Sequence, residues 1–240
     1  MADPYLSVVV PVFNEEDNIQ TLAAEIIQSL DRAGLDYEVV YVNDGSRDAT
    51  DARLDEARRG QPRLRVLHLA ANVGQSGALY AGLRAARGRV LASLDGDGQN
   101  DPADIPRLLE RLRQGDVDMV CGLRAQRRDS ATRLLSSKIA NAVRNWVTHD
   151  GISDTGCSLK VFTREVAEVM LPFNGMHRFM PALAVMNGFR ITEMPVSHRP
   201  RLRGVSKYGI GNRLWRGLRD LAGIAWLQKR VIRPVVARES

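Results

Sequence analysis

The chain has 240 residues, 44% of them hydrophobic and 26% charged, a composition ordinary for a globular protein with a full core. It offers no run of roughly 18 apolar residues, which excludes a predicted membrane-spanning helix. The net charge of +6 is uneven: residues 199–240 hold eleven Lys or Arg against two acids and carry +9, which leaves −3 for residues 1–198. A basic end of this kind indicates an anionic partner, with a solvated helix face as the alternative.

The first residues are not expected to be a signal peptide, because they lack a basic start and Pro11 interrupts the apolar run. The two cysteines, Cys121 and Cys157, lie in apolar or small-residue surroundings, which is typical of reduced structural thiols. Together these features predict a soluble or peripheral protein of the cytoplasm.

Strand-like and helix-like patterns alternate along the first half of the chain. Short apolar runs predict buried strands over 6–12, 37–42, 64–69, 89–94 and 118–122. Amphipathic patterns predict helices over 15–33, 48–59, 74–86 and 102–114. This alternation predicts an α/β fold, a Rossmann-like and mainly parallel sheet with helices on both faces.

Polar residues follow three of the predicted strands: Asn14-Glu15, Asn43 to Ser46, and Asp95 to Asp97. The carboxyl ends of parallel strands share one edge of a sheet, where ligands of such folds bind. We therefore expect the site at this edge. The alternative for Asn43 to Ser46 is an ordinary turn, for which the sequence NDGS is also suited.

A metal site is predicted in the stretch SLDGDGQNDP. The turn after the first strand is acidic, and the chain has neither GxGxxG there nor GxxxxGK[ST], so a metal or basic side chains must offset a phosphate charge. Asp95 and Asp97 can reach one hard cation, Mg²⁺ or Mn²⁺, and Gln99 can add a neutral oxygen ligand. The alternative is a polar turn with no ligand.

Two later segments are amphipathic. Residues 130–147 can shape an acceptor groove or simply pack. Residues 211–236 combine an apolar stripe with arginines and tryptophans, which favours either a membrane-surface helix or a core helix. The histidines His177 and His198 lack metal-ligand spacing and are interpreted as hydrogen-bonded structural residues.

Six motifs occur in an order that resembles family 2 inverting glycosyltransferases, and among them the polyprenyl-phosphate (dolichyl-phosphate-type) glycosyltransferases. The motifs are VVVPVFNEEDNI (8–19), VNDGSRDAT (42–50), NVGQSGALYAG (72–82), LDGDGQNDP (94–102), DTGCSLKVF (154–162) and HRPRLRGVSKYG (198–209). The resemblance implies a GT-A fold over 1–208, followed by a basic amphipathic helix over 209–240 with no transmembrane segment. It also implies a metal-dependent hexosyltransferase that uses Mg²⁺ or Mn²⁺ and moves a sugar from a GDP- or UDP-linked donor to a polyprenyl phosphate. The expected location is peripheral, on the inner face of the plasma membrane, and homo-oligomer formation is left open.

The resemblance also implies roles for single residues. Pro11, Phe13 and Glu15 would line the nucleobase and ribose pocket, with Asp44 beside the base, and Asp95 would contact both donor and metal. Basic residues expected at the donor or acceptor phosphates are Arg124, Arg133, Arg201 and Lys207, the last two on a mobile loop. Asp154 is expected to act as general base or to orient the acceptor.

Two other functions compete with this one. The same donor chemistry with a saccharide hydroxyl as acceptor is the nearer alternative. Nucleic-acid binding, which the basic end permits, is not favoured, because the sequence has no RRM, KH or helix-turn-helix signature.

Overall fold

The structure is a computed structural model that describes residues 3–124, 144–200 and 211–232. Within these residues, the sheet has seven strands: β1 (Leu6–Val12), β2 (Tyr37–Asn43), β3 (Leu64–His68), β4 (Val90–Ser93), β5 (Met119–Arg124), β6 (Lys160–Thr163) and β7 (Ile191–Val196). Their spatial order is β3-β2-β1-β4-β6-β5-β7. All neighbours pair in parallel except β6, which runs antiparallel to both β4 and β5.

Helices connect and cover the strands. They are α1 (Ile19–Arg32), α2 (Thr50–Arg58), α3 (Gln75–Ala85), α4 (Ile105–Arg113), α5 (Arg164–Glu168), α6 (Met176–Met186) and α7 (Gly211–Gln228). A 3₁₀ turn (Pro102–Asp104) precedes α4, and residues 144–148 are also helical.

The sheet is buried on both faces because successive side chains of a strand point to opposite sides. In β1, Val8 and Val10 belong to the core layer that contains α1 and α4, whereas Val9 belongs to the layer that contains α3 and α6. The predicted α/β architecture, with a mainly parallel sheet and helices on both faces, is confirmed.

The five predicted strands all form, with ends shifted by at most two residues. Sequence reasoning missed β6 and β7. The first has only four residues and begins with a lysine, and the second is a half-exposed edge strand that contains Pro195. Short strands and edge strands carry weak hydrophobic patterns, so their periodicity does not stand out. Cys121 and Cys157 are buried and unbridged, as expected, and burial raises the pKa of the Cys121 thiol to about 12.

The apolar stripe of α7 packs against the core layer of α3 and α6, as far as its side chains are described. Ile224 is buried in the layer of α3 and α6, with Leu221 and Leu227 against it. The Gln228 side chain donates to the Thr148 carbonyl at 2.9 Å. This favours the core-helix interpretation for this stripe over a membrane-facing one. No helix in the described ranges is both long and apolar enough to span a bilayer. The domain division at residue 208 stays a prediction.

Candidate active site

The loops after β1 and β2 meet at one edge of the sheet, as predicted. The Asn14 amide donates to Ser46 Oγ at 2.9 Å, and the Arg47 amide donates to Asn14 Oδ1 at 2.7 Å. Asn14 has a φ of 52°, a left-handed conformation that asparagine tolerates better than most residues. These contacts fix the end of β1, where Pro11, Phe13 and the expected pocket residue Glu15 lie.

Asp44 holds the loop that leads into α3. The residue is only 2% exposed. Oδ1 accepts from the Val73 amide at 2.8 Å, and Oδ2 accepts from the Gly74 amide and from Asn72 Nδ2, both at 2.9 Å. Its contacts in the structure are therefore structural, and the role beside a nucleobase stays a prediction.

The neighbouring residues form the expected turn. The Ser46 amide donates to Asn43 Oδ1 at 3.0 Å, and Gly45 has a φ of 67°. A Cβ at Gly45 would lie 2.9 Å from the Asn72 amide nitrogen, so this turn packs directly against the loop that Asp44 holds. The turn interpretation of NDGS thus explains these contacts.

The two acids after β4 lie at the same edge. Asp95 Oδ1 accepts from Gln75 Nε2 at 2.7 Å, and its amide donates to Ser158 Oγ at 3.2 Å. Burial, and next the negative charge of Asp97, raise the pKa of Asp95 to about 6. Asp97 Oδ1 accepts from the Gln99 amide at 3.1 Å.

This donor set fits a hard divalent cation. Within residues 3–124, 144–200 and 211–232, no three His, Cys, Asp or Glu side chains cluster as a metal site. Mg²⁺, however, is usually held by one or two carboxylates together with substrate phosphates. Asp95 and Asp97 repel each other electrostatically, and a bound cation would offset this repulsion.

Beside Asp95 lies a cavity of about 150 Å³. Its apolar walls include Pro11, Leu79 and Met180, and its polar lining includes Gln75 and Ser158. Sequence reasoning predicted Pro11 and Asp95 here.

Among the lining residues that were not predicted as site residues are three basic ones: Lys160, His177 and Arg178. Lys160 pairs with Ser93 across the sheet, its Nζ donates to the Cys157 carbonyl, and its charge opposes the rise in the pKa of Asp95. A lysine inside a buried apolar run was the signal that could have identified it.

His177 is hydrogen-bonded, as predicted, with its Nδ1 2.7 Å from Ser76 Oγ. Burial, and then the nearby positive charges, lower the pKa of His177 to about 3. The imidazole is therefore neutral at physiological pH.

Arg124 and Asp154 form an ion pair in which Asp154 is buried and Arg124 is partly buried. Because β5 runs parallel to β4, Arg124 at its end reaches the same edge of the sheet as Asp95. Its Nε and Nη2 donate to the two Asp154 oxygens at 2.6 and 2.7 Å. A carboxylate held this way is a poor general base, so the pair favours the other predicted role for Asp154, that of a positioning residue.

Glycine at 156 leaves room for this pair. A Cβ there would lie 2.7 Å from Arg124 Nη2 and 3.5 Å from an Asp154 oxygen. The Ser153 and Asp154 amides both donate to Glu193 Oε1, at 2.9 and 3.0 Å, which fixes the loop from the β7 side.

The basic segment begins next to the predicted metal loop. The Arg199 amide donates to the Gln99 carbonyl at 2.8 Å, and its guanidinium pairs with Glu25 and Asp101 at 2.8 and 2.7 Å. The remaining predicted basic residues, Arg133, Arg201 and Lys207, lie outside the described ranges.

Comparison with known proteins identifies related chains. The family model "Glycosyl transferase family 2" matches residues 7–171. A dodecaprenyl-phosphate galacturonate synthase of Rhizobium johnstonii is 38% identical over 234 residues, covering 95% of this chain and 69% of the relative. An undecaprenyl-phosphate 4-deoxy-4-formamido-L-arabinose transferase of Edwardsiella ictaluri is 38% identical over 207 residues, covering 86% of this chain and 63% of the relative.

Solved structures share the fold. Glucosyl-3-phosphoglycerate synthase from Mycobacterium tuberculosis, in complex with Mn²⁺, UDP and glucosyl-3-phosphoglycerate, superposes with a TM-score of 0.68 at 20% identity, covering 96% of this chain and 81% of that one. A mannosyltransferase from Pyrobaculum calidifontis, in complex with GDP-Man and Mn²⁺, gives a TM-score of 0.63 at 19% identity, covering 97% and 66%.

Proposed function

The chain belongs to glycosyl transferase family 2, and on this premise we propose that it moves a sugar from a GDP- or UDP-linked donor to a polyprenyl phosphate. The names of the relatives from Rhizobium and Edwardsiella support a polyprenyl-phosphate acceptor. The sugars in the two names differ. The observation that carries the proposal is the meeting of Asp95, Asp97 and the Arg124–Asp154 pair at one sheet edge, beside a cavity.

Asp95, Asp97 and Gln99 would hold Mg²⁺ or Mn²⁺ on the donor diphosphate. A divalent ion there supplies charge stabilisation to the departing nucleoside diphosphate. The Mn²⁺ and Mg²⁺ complexes of structurally similar glycosyltransferases support this use. Pro11, Phe13 and Glu15, at the end of β1, would face the nucleoside.

The acceptor phosphate makes a general base unnecessary, because its oxygens are already ionised at neutral pH. One phosphate oxygen attacks the anomeric carbon and forms the new C–O bond. The bond from that carbon to the diphosphate oxygen breaks, and its electron pair leaves with the nucleoside diphosphate, with inversion. No proton has to move, which agrees with an Asp154 already neutralised by Arg124.

Positive charge is needed where two anions meet. Arg124 is held at the edge by its ion pair with Asp154, and Lys160 lines the same cavity as Asp95. Arg199 contacts Gln99, and Arg201 and Lys207, which lie outside the described residues, keep the phosphate-binding role that the family resemblance implies.

The chain would work on the surface of a membrane, at its cytoplasmic face. Trp146 is 77% exposed, Trp226 is 60% exposed and Ile232 is 85% exposed. The Arg230 guanidinium lies 4.9 Å from the Trp226 ring centre, and the Gln228–Thr148 hydrogen bond joins the two helical segments that carry the tryptophans. Exposed aromatic residues next to cations are typical of interfacial helices.

The test is transfer from a set of GDP- and UDP-sugars to a short-chain polyprenyl phosphate with Mn²⁺, detected as a lipid-linked sugar by mass spectrometry. We expect product from at least one donor and a loss of about 100-fold or more in Asp97→Asn. The surface variant Asp55→Asn serves as matched control. Undiminished transfer by Asp97→Asn would refute the metal site.

The acceptor is tested in the same assay. A protein that binds donor but yields no lipid-linked sugar would refute the polyprenyl-phosphate proposal. Glycosylation of a saccharide in the absence of prenyl phosphate would favour the alternative acceptor.

A further inference from the structure

The cavity beside Asp95 is lined by two cations and one carboxylate, so its lining has one surplus positive charge. Its lining includes the carboxylate of Asp95 and the cations of Lys160 and Arg178, while His177 is neutral. Lys160 already bonds the Cys157 carbonyl and interacts electrostatically with Asp95. Arg178 is therefore the surplus cation of the lining.

Arg178 has an unmet donor. Within the part of the chain that the structure describes, its Nε is buried and has no hydrogen-bond partner. An acid of another element, Asp220 of α7, lies near it: a Cβ on Gly175 would lie 2.8 Å from Asp220 Oδ2 and 3.7 Å from Arg178 Nη2. Among the described residues no Arg178–Asp220 ion pair forms within 4.0 Å.

A buried N–H without a partner destabilises the protein unless a ligand satisfies it. A guanidinium presents its N–H groups as a planar fork, which matches the two oxygens of a carboxylate. An anionic ligand that enters this cavity would meet the surplus positive charge of Arg178, whose guanidinium has an unused donor.

We propose that Arg178 recognises a carboxylate on the donor sugar, which makes the donor a nucleotide-linked hexuronate. This inference rests on the proposed function, since it assumes a sugar nucleotide with its diphosphate at Asp95 and Asp97. The sugar then lies in the cavity, against Leu79 and Met180.

The diphosphate is a poorer occupant of the cavity than the sugar. The walls that Leu79 and Met180 form are apolar, and the volume of about 150 Å³ is small for a whole ligand site, which typically has roughly 300–1,000 Å³. A hexuronate ring has apolar faces and one carboxylate, and so it matches apolar walls with one surplus cation. Arg178 thereby becomes the residue that separates a hexuronate from the corresponding neutral hexose.

The test measures donor binding without acceptor, so it does not depend on transfer. Isothermal titration with Mn²⁺ compares pairs that differ only at C6: UDP-galacturonate with UDP-galactose, UDP-glucuronate with UDP-glucose, and GDP-mannuronate with GDP-mannose. We expect one uronate to bind about 10- to 100-fold more tightly than its neutral partner. Arg178→Gln should abolish that preference, and Arg178→Lys should keep part of it.

Controls separate this role from a merely structural one. Affinity for free UDP or GDP should be the same in Arg178→Gln as in the wild type and in the surface variant Arg53→Gln. Equal affinities for uronate and neutral donors in the wild type would overturn the proposal. So would an equal loss of affinity for the free nucleoside diphosphate in Arg178→Gln or Arg178→Lys, because Arg178 would then act on the diphosphate. Failure of the proposed function would show instead as the absence of lipid-linked sugar, with the binding preference intact.

Discussion

Replacing Asp44 with asparagine tests whether this carboxylate organises the protein or contacts a nucleotide. In the structure its two oxygens accept from the Val73 amide, the Gly74 amide and Asn72 Nδ2, at 2.8 to 2.9 Å. Those residues lead directly into α3, whose Gln75 bonds Asp95. Asp44 thus supports the acidic site from the end of β2, which β1 separates from β4.

The magnitude follows from the three bonds. Asparagine offers one oxygen and one NH₂ group where the carboxylate offers two oxygens. If the oxygen keeps the Gly74 amide and Asn72, the NH₂ group faces the Val73 amide, and leaving that donor unpaired costs about 1–3 kcal/mol. The other two bonds lose charge assistance, at about 1 kcal/mol each. Asp44→Asn should therefore lower the free energy of unfolding by about 3–5 kcal/mol.

Thermal unfolding gives the measurement. For a chain of this size the loss corresponds to a fall of roughly 6–20 °C in the unfolding temperature. The exposed Asp55 of α2, changed to asparagine, is the matched control and should unfold at the wild-type temperature. The reasoning is refuted if Asp44→Asn unfolds at the wild-type temperature yet binds GDP or UDP at least about tenfold more weakly. The carboxylate would then contact the nucleotide instead of stabilising the loop.

Three further predictions use other parts of the site. The folded-state pKa of His177 is lowered to about 3. His177 therefore binds a proton near pH 6.5 in the unfolded chain, whereas it stays neutral there in the folded chain. The wild type should then lose stability as the pH falls from about 6.5 towards 3, and His177→Asn should lack that component in urea unfolding at several pH values. Gly156→Ala should displace the Arg124 guanidinium and lower kcat/KM at least about tenfold, with the unfolding temperature changed by less than about 4 °C; wild-type kinetics would contradict this. Trp226→Ala combined with Ile232→Ser should weaken sedimentation with anionic lipid vesicles, and unchanged sedimentation would remove these residues from the membrane surface.

The sequence predicted five of the seven strands and the sheet edge where the candidate site lies. Alternating apolar runs and amphipathic helices predicted β1 to β5 because a buried strand and a half-buried helix have different hydrophobic periods. Parallel strands share an edge at their carboxyl ends, so Asp95 and Asp97 could be placed with Asn14 and Asp44 without coordinates. Family motifs added the predicted roles of Arg124 and Asp154.

Other features became visible only in the tertiary structure. Arg124 and Asp154 were predicted separately, one for a phosphate and one for a base or orienting role, and the structure joins them in one ion pair. Asp44 was predicted to lie beside the nucleobase of the donor. Its observed hydrogen-bond partners are residues 28–30 positions further along the chain. Arg178 drew no attention in the sequence, because nothing near it signals a binding site.

The division has a physical origin. Hydrophobic periodicity is a local property, so the chain itself determined its strands, its helices and the edge where the strands end. Side-chain contacts between loops depend on how segments that are distant in the sequence pack together. A local hydrophobic pattern carries no information on that packing. The tertiary structure alone therefore decided that Asp44 accepts hydrogen bonds from the loop before α3, that Asp154 pairs with Arg124, and that Arg178 Nε is buried with no hydrogen-bond partner among the described residues.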